Sequence, residues 1–260
     1  MDPSAYERHL VPVLFQPLAE ALTAAAGPVD GAEVLDVACG TGVVARRVAA
    51  AAGRTTGLDS SPAMLQVAER LDPGVRWLTG DAASLPLPGG SVDVAFCQQG
   101  LQFTADPAAA LAELHRVLRP GGRLAVALWC DIARAPGFAA LAAVLDRHGQ
   151  PGDMMRRPFG LGDAGRVRDL LTAAGFTAVH CGTCVIAARF PSVAEFYARQ
   201  VAASPLAAAL AGLSAAAEAA IVDDLREALD GRLDDDGLLF PAESYLFTAR
   251  AGQRQDAGAR

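Results

Sequence analysis

The sequence of 260 residues contains no lysine; all 22 of its basic residues are arginine. That absence removes chemistry built on a primary amine: Schiff bases, the phosphate-gripping lysine of P-loop hydrolases and the catalytic lysine of kinases. Cationic excess is missing as well. Twenty-nine acids outnumber the arginines for a net charge of −7, which argues against nucleic-acid partners, because phosphate binding needs clustered cations. Cysteines are few and odd in number: Cys39, Cys97, Cys130, Cys181 and Cys184. Scattered over a long chain they are no disulfide framework, and a reducing cytoplasm is the expected location. The first ten residues lack the basic flank and apolar core of a secretory signal. The most apolar long stretch, 201–222, is mostly alanine and is interrupted by Pro205, Ser214 and Glu218. No integral membrane association is expected from it.

What is present is a chain 52% hydrophobic and 20% charged, long enough for one large domain or a domain with an insertion. Residues 5–26 carry Tyr6, Leu10, Leu14, Leu18 and Leu22 at helical spacing, and Gly27-Pro28 ends that helix. A strand-then-helix rhythm follows, with strands predicted at 33–37, 55–58, 75–78, 92–96 and 123–128. Ser61-Pro62 and Asp106-Pro107 read as helix caps followed by proline in the first turn. Alternation of this kind predicts right-handed βαβ units and an α/β, doubly wound, mostly parallel sheet. In the second half, helices are predicted at 137–147, 163–174 and 215–229, and strands at 179–190 and 243–251, for seven strands in all. The stretch 149–162 reads as a mobile connection, and Ser192 with Glu195 as a capping box. The expected organisation is an N-terminal lid helix (1–29), a core (30–190) and a helical cap insertion (191–240). A last core strand (241–251) and a disordered tail (252–260) complete it.

The informative segment is Val34-Leu35-Asp36-Val37-Ala38-Cys39-Gly40-Thr41-Gly42, a carboxylate near a strand end followed by a glycine turn into a helix. Glycines there let a ligand approach the backbone, and the helix start offers free N–H groups. A dinucleotide fold matches loosely, with Gly40, Gly42 and Ala45 as its fingerprint and Asp59 as its acidic follower. Two points weigh against it. Asp36 would repel a pyrophosphate, and the short-chain version of that fold needs a lysine that the chain lacks.

Five ordered pieces carry a more specific likeness over roughly residues 30–130. After the glycine turn come Gly57-Leu58-Asp59-Ser60-Ser61-Pro62-Ala63-Met64-Leu65 and Gly80-Asp81-Ala82-Ala83-Ser84-Leu85-Pro86-Leu87-Pro88. Ser91-Val92-Asp93-Val94 and Leu118-Arg119-Pro120-Gly121-Gly122 complete the set. In that order the chain resembles the class I S-adenosylmethionine-dependent methyltransferases, in the small-molecule, ubiquinone/menaquinone methyltransferase-like branch. The resemblance implies a seven-stranded Rossmann-like sheet and S-adenosyl-L-methionine as cofactor, with S-adenosyl-L-homocysteine as product. It places Asp36, Ala38, Gly40 and Gly42 at the methionine end of the cofactor. Asp59 and Ser60 would lie at the ribose, Met64 beside the adenine, Asp81 and Ala82 at the adenine edge, and Gln98 near the methyl group.

Transfer from a sulfonium is an in-line displacement in which the protein chiefly aligns the nucleophile and excludes water. A general base helps a hydroxyl acceptor more than an amine or carbon. Among His9, His115, His148 and His180, His9 on the presumed lid helix is the weak candidate; no catalytic residue stands out. Family geometry suggests Tyr6, Phe15, Gln99, Phe103, Trp129, Phe196 and Tyr197 as acceptor-facing, since aromatics with polar tips suit a planar or apolar molecule. Cys97-Gln98-Gln99-Gly100 lacks the Asp/Asn-Pro-Pro-aromatic motif of nucleobase and glutamine methyltransferases. Cys181-x-x-Cys184 has no second pair, so no metal site is expected, and Asp234-Asp235-Asp236 reads as a solvated turn. The expected function is methylation of a small organic acceptor, a secondary metabolite being one candidate, by a monomer or homodimer. The alternatives are a quinone or lipid-precursor methyltransferase, or a protein that binds the cofactor as a sensor or rearrangement catalyst without transferring methyl.

Overall fold

The computed structural model describes residues 2–253; the expected tail lies largely outside them. Its first five strands are β1 (Glu33–Val37), β2 (Arg54–Asp59), β3 (Arg76–Thr79), β4 (Val92–Gln98) and β5 (Leu118–Trp129). Then come β6 (Phe176–Phe190), β7 (Leu233–Asp234) and β8 (Gly237–Ala251). Seven run in the order β3-β2-β1-β4-β5-β8-β6, and the two-residue β7 pairs antiparallel with β8. The pairings of β1 with β2 and β4, of β2 with β3, and of β4 with β5 are parallel. This is the α/β Rossmann-like arrangement that the alternation predicts. From β1 the strand order runs outward to β3 on one side and from β4 to β5 on the other. The switch between β1 and β4 is where open sheets of this type hold ligands, beyond the carboxyl ends of the strands.

The helices are α1 (Pro3–His9), α2 (Gln16–Ala26), α3 (Val43–Val48), α4 (Pro62–Leu71), α5 (Pro107–Val117) and α6 (Pro136–Arg147). They continue with α7 (Asp153–Arg156), α8 (Ala164–Ala173), α9 (Val193–Ala202), α10 (Leu206–Leu210) and α11 (Ala215–Ala228). The predicted N-caps form, although the Ser192 capping box is only half made because the Glu195 carboxylate accepts from Arg199 Nε. Ser61 Oγ accepts from Met64 N–H, Asp106 from Ala108 and Ala109 N–H, and Ser192 Oγ from Glu195 N–H. Each satisfies donors that a helix start leaves unpaired.

Four segments differ from expectation. Strand β5 starts at Leu118, five residues before the predicted 123, and takes in Pro120-Gly121-Gly122. The single helix predicted over 5–26 is broken by a π-type turn at Val11–Phe15, where Pro12 supplies no backbone donor for a regular ladder. The presumed mobile connection at 149–162 is packed: it contains α7 and a 3₁₀ turn at Arg157–Phe159, and buries Met155, Phe159 and Leu161. Its glycine and proline content marks turns; the buried apolar side chains between them supply the order. The last strand begins at Gly237, six residues before the predicted start, as the second arm of a hairpin with β7.

The chain forms two compact units. One comprises Met1–Leu18, Trp129–Gly162 and Cys184–Ser244; the other comprises Ala19–Leu128, Asp163–Thr183 and Tyr245–Arg260. The second unit holds β1 to β4 and nearly all of β5. Its core includes Leu35, Val37, Phe96, Leu111 and Leu124, each at most 1% exposed. The first unit is built around aromatic rings. Phe138, on α6, has its ring centroid 5.8 Å from Phe196, 5.6 Å from Phe240 and 5.9 Å from Phe159.

Candidate functional site

Asp36 is the penultimate residue of β1 and is only 1% exposed. Its Oδ2 accepts from Ala45 N–H at 3.0 Å, in the first turn of α3. Gly42, the residue before that helix, offers no side-chain cap, so the strand carboxylate serves one of its orphan donors. Desolvation dominates over this bond: burial, with Asp59 adding repulsion, pushes the Asp36 carboxyl up to about 7. The neighbouring Cys39 and Cys97 thiols are raised by burial and by Asp36, Cys97 to about 12. Both are neutral structural groups, without the thiolate that a nucleophile requires.

Asp59, the last residue of β2, ties two loops together. Its Oδ2 accepts from Gly40 N–H and its Oδ1 from Ser61 N–H, each at 2.8 Å. Between them the chain leaving β1 turns sharply, with positive φ at Ala38 (55°), Gly40 (57°) and Gly42 (83°). For Ala38 that conformation is strained, and strain of this kind gathers at ligand sites. Gln99, which follows β4, shares it with φ of 52°. A Cβ on Gly100 would lie 2.4 Å from the Ala38 Cβ, so the two loops approach as closely as they do only because that residue is glycine.

A cleft of about 250 Å³ opens at the carboxyl ends of β1 to β4. Its walls include Ala38, Asp59, Ser60, Asp81, Ala82 and Phe103. Asp81 Oδ1 accepts from Ala83 N–H, which holds that loop in shape. Two carboxylates line the cleft and no cationic side chain does. A pyrophosphate would meet repulsion there, whereas a neutral nucleoside with a cationic tail would not.

Of the residues singled out by sequence, Ala38, Asp59, Ser60, Asp81 and Ala82 line this cleft together. Asp36 and Gly40 support it from beneath through the bonds just described. Gly42 meets the indole of Trp77, which would lie 2.2 Å from a Cβ at that position. Met64 is buried at the start of α4 and is not among the lining side chains. Gln98 is the last residue of β4 and is 9% exposed. Gln99 Oε1 accepts from Gln102 Nε2 at 2.7 Å. Phe103, expected to face the acceptor, is on the cleft wall and is 59% exposed.

The other acceptor-facing choices fall in the first unit, where they form one aromatic run. Tyr6 stacks on Phe15 at 5.0 Å, Phe15 lies 6.4 Å from Trp129, and Trp129 lies 6.3 Å from Phe138, which meets Phe196. Tyr197 is 6% exposed beside it in sequence. His9 closes α1, half-buried. His115 packs edge-on against Phe176, and His148 Nε2 lies 2.9 Å from Asp224 Oδ2. Cys181 and Cys184 are three apart on β6, on opposite faces of the strand.

Residues 35–126 match the family described as a methyltransferase domain. That segment is similar to a methyltransferase domain, and it contains every residue that lines the cleft. Its relatives include a malonyl-[acyl-carrier protein] O-methyltransferase of Serratia marcescens, 42% identical over 92 residues, covering 35% of this chain and 36% of the relative. A demethylmenaquinone methyltransferase of Renibacterium salmoninarum is 43% identical over 103 residues, covering 40% and 44%. The chain thus spans less than half the length of these curated relatives. A solved phosphoethanolamine N-methyltransferase 2 of Haemonchus contortus, in complex with S-adenosyl-L-methionine, shares the fold at TM-score 0.62 and 20% identity. That match covers 96% of this chain and 57% of the other.

The cleft also uses Leu58, Gly80, Gly100, Thr104 and Ala105, which sequence reading did not select. Leu58 and Gly80 lie inside the motifs, each one residue before an acid, Asp59 and Asp81. Gly100, Thr104 and Ala105 carry no charge pattern of their own; the positive φ at Gln99 brings their loop against Ala38, and no periodicity announces that turn.

Proposed function

We propose that the protein is an S-adenosyl-L-methionine-dependent methyltransferase acting on a small organic acceptor. The observation that carries this reading is the lining of the carboxyl-end cleft: Asp59 and Asp81 without a cation, over the buried Asp36. The donor set fits the cofactor. Asp59 would accept from the ribose hydroxyls, Asp81 from the adenine amino group, and the Ala82 N–H would donate to a ring nitrogen. The bound cofactor supplies an electrophilic methyl group on a sulfonium. The chain's own part is to hold that group by the bent Ala38–Gly42 backbone and to keep negative charge beneath it at Asp36. The Asp59 bonds to Gly40 and Ser61 fix the loops before any ligand arrives, so little ordering remains to be done on binding.

For the acceptor, the exposed Phe103 ring on the cleft wall supports a molecule with a planar or apolar portion. Relatives named for a demethylmenaquinone and for malonyl-[acyl-carrier protein] are consistent with a small-molecule type of reaction. His9 is the group we assign as base should the accepting atom be a hydroxyl. Among the described residues no helix is long and apolar enough to cross a membrane, and we propose a small-molecule acceptor rather than a nucleic acid or membrane partner.

Thermal unfolding with added S-adenosylhomocysteine and, separately, NAD tests the cofactor. Stabilisation by the former alone is expected through the linkage of binding to folding; stabilisation by NAD alone would contradict the reading. Methyl-labelled cofactor offered with a panel of phenols, quinols, acids and amines then tests transfer. Binding without transfer to any of them would favour a sensor or a rearrangement catalyst.

A further inference from the structure

A second cavity, of about 350 Å³, lies at the amino-terminal end of the same parallel strands, away from the cleft at their carboxyl ends. Arg54, Arg76 and Arg119 line it, with Glu33, Thr56 and Ser91. The strand register explains the convergence. Glu33 pairs with Arg54, and Thr56 with Arg76, on neighbouring parallel strands. Paired residues share a face, and residues two apart on one strand share it too. Glu33, Arg54, Thr56 and Arg76 therefore project to one side of the sheet, and Arg119 joins them from the start of β5.

The guanidinium groups are not equally engaged. Arg119 is paired with Asp93, whose carboxyl it holds below the usual carboxylate range. Arg54 meets Glu33 only at 3.9 Å, at an exposed position, and such a pair contributes little. Arg76 makes no ion pair among the described residues. Glu33 faces three guanidiniums on the lining and Asp93 answers Arg119 beside it, so the site keeps an excess of about one positive charge in a chain whose net charge is −7. Guanidinium is a planar fork of donors that matches a tetrahedral oxyanion bidentately and stays charged at any working pH. Thr56 places a hydroxyl in the wall, while that of Ser91 donates to the Pro88 carbonyl at 2.7 Å.

We infer that this cavity is a binding site for a phosphate-type anion, either free phosphate or the phosphoryl group of a small phosphomonoester. The inference is independent of the proposed methyl transfer, since the two sites share no lining residue.

Calorimetric titration with inorganic phosphate and with glycerol 3-phosphate, at ionic strength held constant with chloride, tests it. Saturable binding is expected, weakened at least tenfold by Arg76→Gln and also weakened by Arg54→Gln. Arg70→Gln, on α4 outside the cavity, should bind as the unaltered protein does. Thermal unfolding in chloride alone should be unchanged in the variants, which separates loss of binding from loss of fold. Tighter binding of glycerol 3-phosphate would identify the phosphoester as the source, and equal binding the free ion. Heats that do not saturate, or that persist undiminished in both Arg76→Gln and Arg54→Gln, would mean an adventitious ion only and overturn the site.

Discussion

The two units of the chain are organised by different physics. The second unit places acids and glycines at the ends of parallel strands, where Asp36, Asp59 and Asp81 either serve backbone N–H groups or face a cleft. The first unit places almost no charge inside and relies on aromatic contact, with Phe190, Phe196 and Phe240 at most 1% exposed. One is a polar device whose parts must sit at given chain positions. The other is a packed volume that many apolar sequences could fill. That difference explains why motifs concentrate in the former and why the latter reads only as periodicity.

The contrast yields a graded set of expectations. Phe138→Ala should cost about 3–5 kcal/mol, as a large ring removed from a packed core leaves both lost transfer energy and a cavity. Chemical denaturation followed by circular dichroism measures it; a cost under about 1 kcal/mol would mean that the aromatic run is loosely packed. Asp36 should make stability depend on pH. Between about pH 4 and pH 7 the folded chain keeps a proton that the unfolded chain has released, given the raised carboxyl. Stability from this group therefore falls as pH rises through that window and is flat above it, by a few kcal/mol in all. Asp36→Asn should remove that slope, and denaturation midpoints across the window would show whether it does. A cationic ligand favours the ionised carboxylate, so cofactor affinity should rise as pH passes upward through about 7.

Asp59→Ala should weaken S-adenosylhomocysteine binding by about a hundredfold, roughly the worth of one or two charge-assisted bonds. Calorimetry would show it, and unchanged affinity would remove Asp59 from the site. Gly42→Ala should destabilise by about 2 kcal/mol, through its positive φ and the nearby Trp77 ring; tryptophan fluorescence would register the displaced indole. Ser192→Ala, which deletes the cap of α9, should cost only about 1 kcal/mol in thermal unfolding.

Much of the fold was legible because strand–helix alternation and cap residues are local signals. Ser61, Asp106 and Ser192 announce helix starts through bonds to residues two or three positions on. The cleft acids were legible too, since Asp59 and Asp81 follow apolar strands at a turn. Phe103 reaches the cleft wall because the Gly100 loop comes against Ala38, an approach that sequence distance does not report. Met64 illustrates the reverse: a residue inside a motif whose side chain is buried off the cleft lining. The 149–162 stretch misled because glycine and proline report backbone turns and say nothing about what Met155, Phe159 and Leu161 bury.

By itself the sequence determined the class of fold, the acidic glycine turn and the exclusion of lysine chemistry, all of which depend on residue identity at short range. The strand order, the closing of Gly100 on Ala38, the aromatic run and the meeting of three arginines below the sheet were decided by tertiary structure. Each of these joins residues far apart in the chain, and hydrophobic burial, which drives their approach, has no preferred sequence partner.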